Sequence, residues 1–231
     1  MQSSEPLLAD KPNGPRSRKG ERTRARLLVA AKEVFEKSGF LNARVSDIAE
    51  KAGLSHGSFY HYFESKEEIF REVAESVEEQ LSAPMGDVIL DRHSGATPEE
   101  RIREAIRRHM QSYRDEAPIM GVIEQVYRYD DQVKAARIKR HRRYTEQVAR
   151  AVAQLQRRGL ADPTLEPEIA AMVLGSMTSR FPEMWFVEGR VDCPFEDGVE
   201  QLTRMLMNAL GIEQVQGPGR RGRRAKATAR R

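Results

Sequence analysis

The chain has 231 residues, 32% of them charged and 6% aromatic, which leaves room for one or two helical domains with a sizeable core. One cysteine excludes an intrachain disulfide framework and fits a reducing cytoplasm, and no run of 18 apolar residues is present to span a membrane. The net charge of +4 is unevenly spread: residues 217–231 carry +7, residues 1–26 carry +4 and residues 27–216 carry −7, the pattern of phosphate-seeking ends on an acidic body or of plain solubilising tails.

Residues 1–19 are rich in Pro, Ser, Gly and charge; they are expected to be disordered and lack the apolar core of a signal peptide. A first helix is predicted over 21–38, with Leu27, Ala31, Val34 and Phe35 on one face and Gly39 as its stop. Arg22, Arg24 and Arg26 at its start reach either phosphates or solvent. The stretch Val45–Lys66, VSDIAEKAGLSHGSFYHYFESK, then reads as two short helices around Gly53, where a tight turn requires positive φ. The first of them carries Val45, Ile48, Ala49 and Ala52 on one side. Ser55 is placed to N-cap the second, predicted from His56 to about Phe63 with Phe59 and Phe63 inward. Its other face shows Ser55, His56, Gly57, Ser58, Tyr60, His61 and Tyr62, which are small or planar hydrogen-bonding groups. A short helix presented in this way suits entry into a DNA major groove.

The runs AAKEVFEKSGF, VSDIAEKAGLSHGSFYHYF and ESKEEIF, from about Thr23 to Phe70, resemble the DNA-binding domain of the TetR family of bacterial transcriptional regulators. The resemblance implies a homodimer on a roughly palindromic double-stranded operator, with Arg44, Val45, Ser46, Ser55, His56, Gly57, Ser58, Tyr60, His61, Tyr62 and Lys66 at the DNA. It also implies a C-terminal helical bundle that binds a small effector and dimerises through its last two helices. One departure stands out. Where the family carries Thr or Ser, this chain has Ala43 and Arg44, so about 1 kcal/mol of N-capping is missing, offset in part by Asp47 in the first turn. Arg44 either clamps a phosphate, enters the minor groove or points to solvent. No Arg, Asn or Gln stands on the reading helix for a bidentate base contact, so base readout by this helix is expected to be modest.

Further along, Ser65-Lys66-Glu67-Glu68 forms a capping box for a helix through Ile69, Phe70, Val73 and Val77 to about Leu81, ended by Pro84. A loop with His93 follows, and then a second box, Thr97-Pro98-Glu99-Glu100, opening a helix with Ile102, Ala105, Ile106, His109, Met110 and Tyr113 inward. Asp115–Pro118 breaks it, and a shorter segment runs Ile119–Tyr129. A long helix from Asp130 and Asp131 to about Arg158 turns Val133, Arg137, His141, Tyr144, Val148, Val152 and Leu155 inward, with a Schellman stop at Gly159 and Leu160. The last two helices, about Pro167–Val187 and Phe195–Leu210, are apolar over more surface than one small core needs. Strand signals are sparse. The fold class is all-α: a helix-turn-helix domain over 20–66, a helical ligand-binding and dimerisation domain over 67–212, and a disordered basic tail over 213–231.

Candidates for the effector site are Met110, Tyr113, Met120, Ile123, Tyr127, Tyr144, Met177 and Trp185, since Met and aromatic side chains line adaptable pockets; each also fits a plain core role. His109 and His141 are polar anchors or hydrogen-bonded core residues. Arg137, with Lys139, Arg140, Arg142 and Arg143 nearby, suits either an anionic ligand such as an acyl-CoA or an exposed basic face. No catalytic constellation, cofactor fingerprint or metal-ligand spacing is found, so an enzyme is not expected, nor a cofactor. The alternative to a ligand-responsive regulator is a sequence-tolerant DNA-organising protein driven by its basic tails.

Overall fold

The computed structural model describes residues 17–81 and 95–212. Residues 1–16 of the expected N-terminal tail, the C-terminal tail, His93 and the stop at Pro84 lie outside the described residues, whereas 17–19, expected in the tail, form the cap and first residues of a helix. Every regular element among them is helical: α1 (Arg18–Asn42), α2 (Val45–Lys51), α3 (His56–Phe59), α4 (Lys66–Leu81), α5 (Pro98–Asp115), α6 (Ala117–Tyr127), α7 (Asp131–Arg157), α8 (Pro167–Pro182) continued by a π-helical turn (Glu183–Val187), and α9 (Phe195–Ala209).

The chain divides into two compact units, one comprising the described residues up to 76 together with 122–133, the other the rest. The expected boundary at 66/67 therefore moves about three turns into α4. The reason is packing. Ile69, Phe70, Val73 and Ala74 are buried, and the Phe70 ring stands edge-on to Phe35 at 5.0 Å and to Phe40 at 4.9 Å. Leu27, Phe35, Ile48 and Phe59 complete this core with no exposed surface, each contributing roughly 1.5–3 kcal/mol through burial.

Backbone and caps explain the first unit's turns. Ser17 Oγ accepts from the Gly20 N–H at 3.2 Å, which starts α1 three residues earlier than the sequence suggested. Gly39, at φ +70° and ψ 169°, kinks α1 where a stop was expected, and a last turn follows it. Arg44 caps α2 with backbone alone, making no side-chain capping bond. Gly53 turns at φ +65°. The second helix of the motif is shorter than the expected 56–63: α3 ends at Phe59, and 60–62 continue as turns held by Tyr62 N–H to Phe59 O (2.9 Å) and Phe63 N–H to Phe59 O (3.1 Å).

In the second unit α5, α7, α8 and α9 share one core built from Ile102, Ile106, Met110, Val152, Leu155, Leu174, Leu202 and Leu206. The Thr97–Glu100 box forms in both directions, and Gly159 (φ +66°) closes α7 with the paired bonds Leu160 N–H to Leu155 O and Gly159 N–H to Gln156 O. Trp185 stacks on Phe186 at 4.6 Å and lies so close over Gly198 that a Cβ there would collide with its ring.

Candidate DNA-reading surface and cavity

The reading surface is built from a four-residue helix whose inner side is Phe59, fully buried, and whose outer side is open. Ser55 accepts the Ser58 N–H at 3.2 Å, and the two hydroxyls lie 2.7 Å apart, so the helix start is fixed by its own side chains. His56, Gly57, Tyr60 and His61 are exposed, Ser58 and Tyr62 half-buried. The His56 ring meets the Tyr60 ring edge-on at 5.3 Å, which orients both on one ridge. On α2, Arg44 and Ser46 are exposed and Val45 is half-buried, with Ser46 Oγ donating to Asp47 Oδ1 at 3.1 Å.

Three basic residues offered for phosphates are used inside the unit instead. Lys66 does not project as expected: its ammonium donates to the carbonyls of Phe40 (2.8 Å) and Ala43 (3.0 Å) and lies 4.6 Å over the Phe40 ring, closing the carbonyl end of α1. Arg24 forks onto the Glu72 carboxylate and lies 4.7 Å from the Phe63 ring centroid. Arg26 donates to the Ala52 carbonyl at the end of α2. Unpaired carbonyls at helix ends attract cations, and Lys66 and Arg26 answer that demand. The Ser65 box is half made: Ser65 Oγ accepts the Glu68 N–H at 3.1 Å, whereas the Glu68 carboxylate reaches past it to the Glu64 N–H.

The eight effector candidates do not come together. Ile123 and Tyr127 belong to the first unit, and Met110, Met120 and Trp185 are core residues of the second. Tyr113 and Tyr144 line a cavity of about 220 Å³ with His109, His141 and Thr178; Met177 lines a separate groove of about 760 Å³ with Val173, Phe181, Leu202 and Met205. His141, expected inward, is an exposed residue at the cavity's edge. His109 Nε2 bonds the Thr178 carbonyl at 2.8 Å, and the Tyr144 hydroxyl bonds Thr178 Oγ1 at 2.9 Å. Sequence reasoning missed Thr145, Met172, Gly175, Ser176, Thr178 and Ser179. The spacing of Met172, Gly175, Ser176 and Ser179 at i, i+3, i+4 and i+7, small residues on one face of an apolar helix, was the available signal. Cys193 lines the groove, its thiol pushed up first by burial and then by Asp197 and Asp192, so it is a poor nucleophile.

A tri-helical head with an exposed, capped reading helix defines a helix-turn-helix DNA-binding protein. Residues 27–73 match the model for bacterial regulatory proteins of the tetR family, and residues 95–210 match the tetracyclin repressor-like C-terminal domain. The chain belongs to the TetR family of bacterial transcriptional regulators. It is 34% identical over 93 residues to the transcriptional repressor NicS of Pseudomonas putida, covering 40% of this chain and 42% of NicS. The chain spans 28% and 42% of the lengths of the first two curated relatives that it matches. A putative TetR-family regulator from Mesorhizobium loti has the same fold, with a TM-score of 0.71 at 22% identity over 84% of this chain and 98% of that one. The regulator FadR from Bacillus subtilis, solved with stearoyl-CoA, gives 0.64 at 18% identity over 80% and 98%. No helix among the described residues is long and apolar enough to cross a membrane.

Proposed function

We propose that the protein is a homodimeric repressor that binds an inverted-repeat operator through α3 of each protomer and leaves it when a small hydrophobic or acyl-CoA-like molecule occupies the second unit. The observation that carries the DNA-reading half is the contrast across α3 and the turn that follows it: Phe59 and Phe63 are buried while His56, Gly57, Tyr60 and His61 stand open, with Tyr60 half-exposed at 50%. Arg44, Val45, Ser46, Ser55, Ser58 and Tyr62 flank that ridge as phosphate or base contacts. Lys66 leaves this set as a side chain, because its ammonium serves α1.

Dimerisation through α8 and α9 is supported by their exposed apolar residues Ile169, Met172, Val173 and Met205, each more than half exposed, beside the apolar groove. A ligand releases DNA only if it binds the DNA-incompetent form better, by a few kcal/mol. The stearoyl-CoA of the FadR structure supports the presence of an effector in this fold. The basic tails on which a DNA-organising role would depend lie outside the described residues, and nothing described favours it.

The test is sequencing of genomic fragments captured by the purified protein at near-physiological salt. A few enriched fragments sharing an inverted repeat, lost on Tyr60→Ala with the dimer intact, are expected. Broad capture without a pattern, or unchanged binding by Tyr60→Ala, would overturn the reading.

A further inference from the structure

Resting on the reading of the second unit as effector-binding, we infer that the cavity lined by α5, α7 and α8 takes an uncharged single-ring molecule with a hydrogen-bonding group, a phenol being the simplest, and not an acyl-CoA. Size is the first argument. The cavity holds about 220 Å³. That exceeds the roughly 150 Å³ that accommodates benzene in an engineered apolar cavity and falls below the roughly 300–1,000 Å³ of pockets for drug-sized ligands.

Charge is the second. Among the described residues the wall contains no Lys, Arg, Asp or Glu. The phosphates of an acyl-CoA call for charge-assisted partners, and Arg is the usual one. The wall offers hydroxyl and imidazole groups instead, from Tyr113, Tyr144, His109 and His141, which suit a neutral donor–acceptor ligand.

Shape and polarity complete the case. Gly175 lets the Tyr144 ring approach α8 so closely that a Cβ would lie 3.2 Å from it, so the ring packs directly on the helix and, with the small residues Ser176 and Ser179, forms a flat wall of the cavity. Thr178 Oγ1 donates to the Leu174 carbonyl at 3.0 Å, so in the 2.9 Å contact Tyr144 is the donor and Thr178 the acceptor. A phenolic oxygen that donates still accepts, so a ligand hydroxyl meets an acceptor at the Tyr144 oxygen. Tyr144 and Thr178 thereby select for a ring that carries its own O–H or N–H.

The experiment titrates 4-fluorophenol into the full chain and follows ¹⁹F NMR, with palmitoyl-CoA titrated separately by calorimetry. Operator binding is measured on the same preparation. Saturable binding of one phenol per chain is expected, weakened about tenfold or more, 1.4 kcal/mol, by Ser179→Phe, which fills the cavity. Thr178→Val, which keeps the backbone carbonyl that His109 uses, is the second variant should Ser179→Phe not fold, and it is expected to weaken binding in the same direction. Palmitoyl-CoA binding without saturable phenol binding overturns the ligand class and leaves the effector reading intact. Binding by neither, while operator binding persists, overturns both the class and the cavity's role but not the DNA-reading assignment.

Discussion

The Arg71 guanidinium donates to Asp130 Oδ2 through Nε at 3.1 Å and Nη2 at 3.0 Å, while the other oxygen of the same carboxylate accepts the Gln132 and Val133 N–H groups at the start of α7. One aspartate thus closes a helix N-terminus and binds α4. Burial alone would raise its pKa, but the Arg71 bonds and the two backbone N–H groups outweigh burial and hold it below the ordinary value. A carboxyl whose folded pKa lies below its unfolded one stabilises fully above the unfolded value, and that contribution is lost as pH falls through the folded one. Urea melts are therefore expected to show Asp130→Asn less stable by about 1 kcal/mol at neutral pH from the lost ion pair, since asparagine caps a helix as well as aspartate does. The gap should narrow below about pH 4, where the carboxyl of the unfolded chain starts to protonate, and close as pH falls through the lowered value of the folded chain. A gap constant from pH 7 to pH 3 would show that the charge does not matter.

Lys66→Met separates structural from DNA-contacting use of that ammonium. Removing a cation from two close carbonyls should lower the melting temperature, and binding measured well below it should keep its salt dependence. A phosphate-contacting lysine would instead reduce the slope of log affinity against log salt by about 1.

Gly57 lies in α3 without a positive φ, and a Cβ there meets nothing within 4 Å in the protein. Glycine inside a helix costs about 1 kcal/mol relative to alanine, so Gly57→Ala is expected to hold or raise stability. If DNA approaches this point, operator affinity falls in the same variant. Thermal melts and fluorescence anisotropy on one preparation decide it; unchanged affinity would remove Gly57 from the interface.

Gly198→Ala forces a methyl group into the Trp185 ring, which is stacked against Phe186 and cannot simply withdraw. Overpacking of this kind costs roughly 1–3 kcal/mol. Trp185 is the sole tryptophan of the chain, so its emission reports the displacement directly. A red shift with lowered stability is expected.

Much of the fold was legible because its punctuation is local. Thr97–Glu100, Gly53 and the Gly159–Leu160 stop are dictated by residues within a few positions of each other, and each forms as its sequence implied. The inner side of the motif was legible for the same reason, since Phe59 and Phe63 bury themselves at one-turn spacing. The fates of Lys66, Arg24 and Arg26 were not, because their partners, the Phe40 carbonyl, Glu72 and the Ala52 carbonyl, are 26 to 48 residues away. A basic side chain looks the same in sequence whether it answers a helix end or a phosphate. The cavity was half legible for a related reason: its aromatic wall stands out in composition, whereas its floor is defined by small residues whose importance is the space they leave.

The first unit is discontinuous in the chain, since residues 122–133 pack with the reading head although some 45 positions separate them from its last residue at 76. Ile123 and Val126 are buried there, and Asp130 holds Arg71. Excision of the head by a single cut after α4 would strand that guanidinium and remove those apolar side chains. A portable copy of the first unit must therefore be assembled from two pieces of sequence, and a chimera that exchanges the second unit has to carry the second piece along with the first.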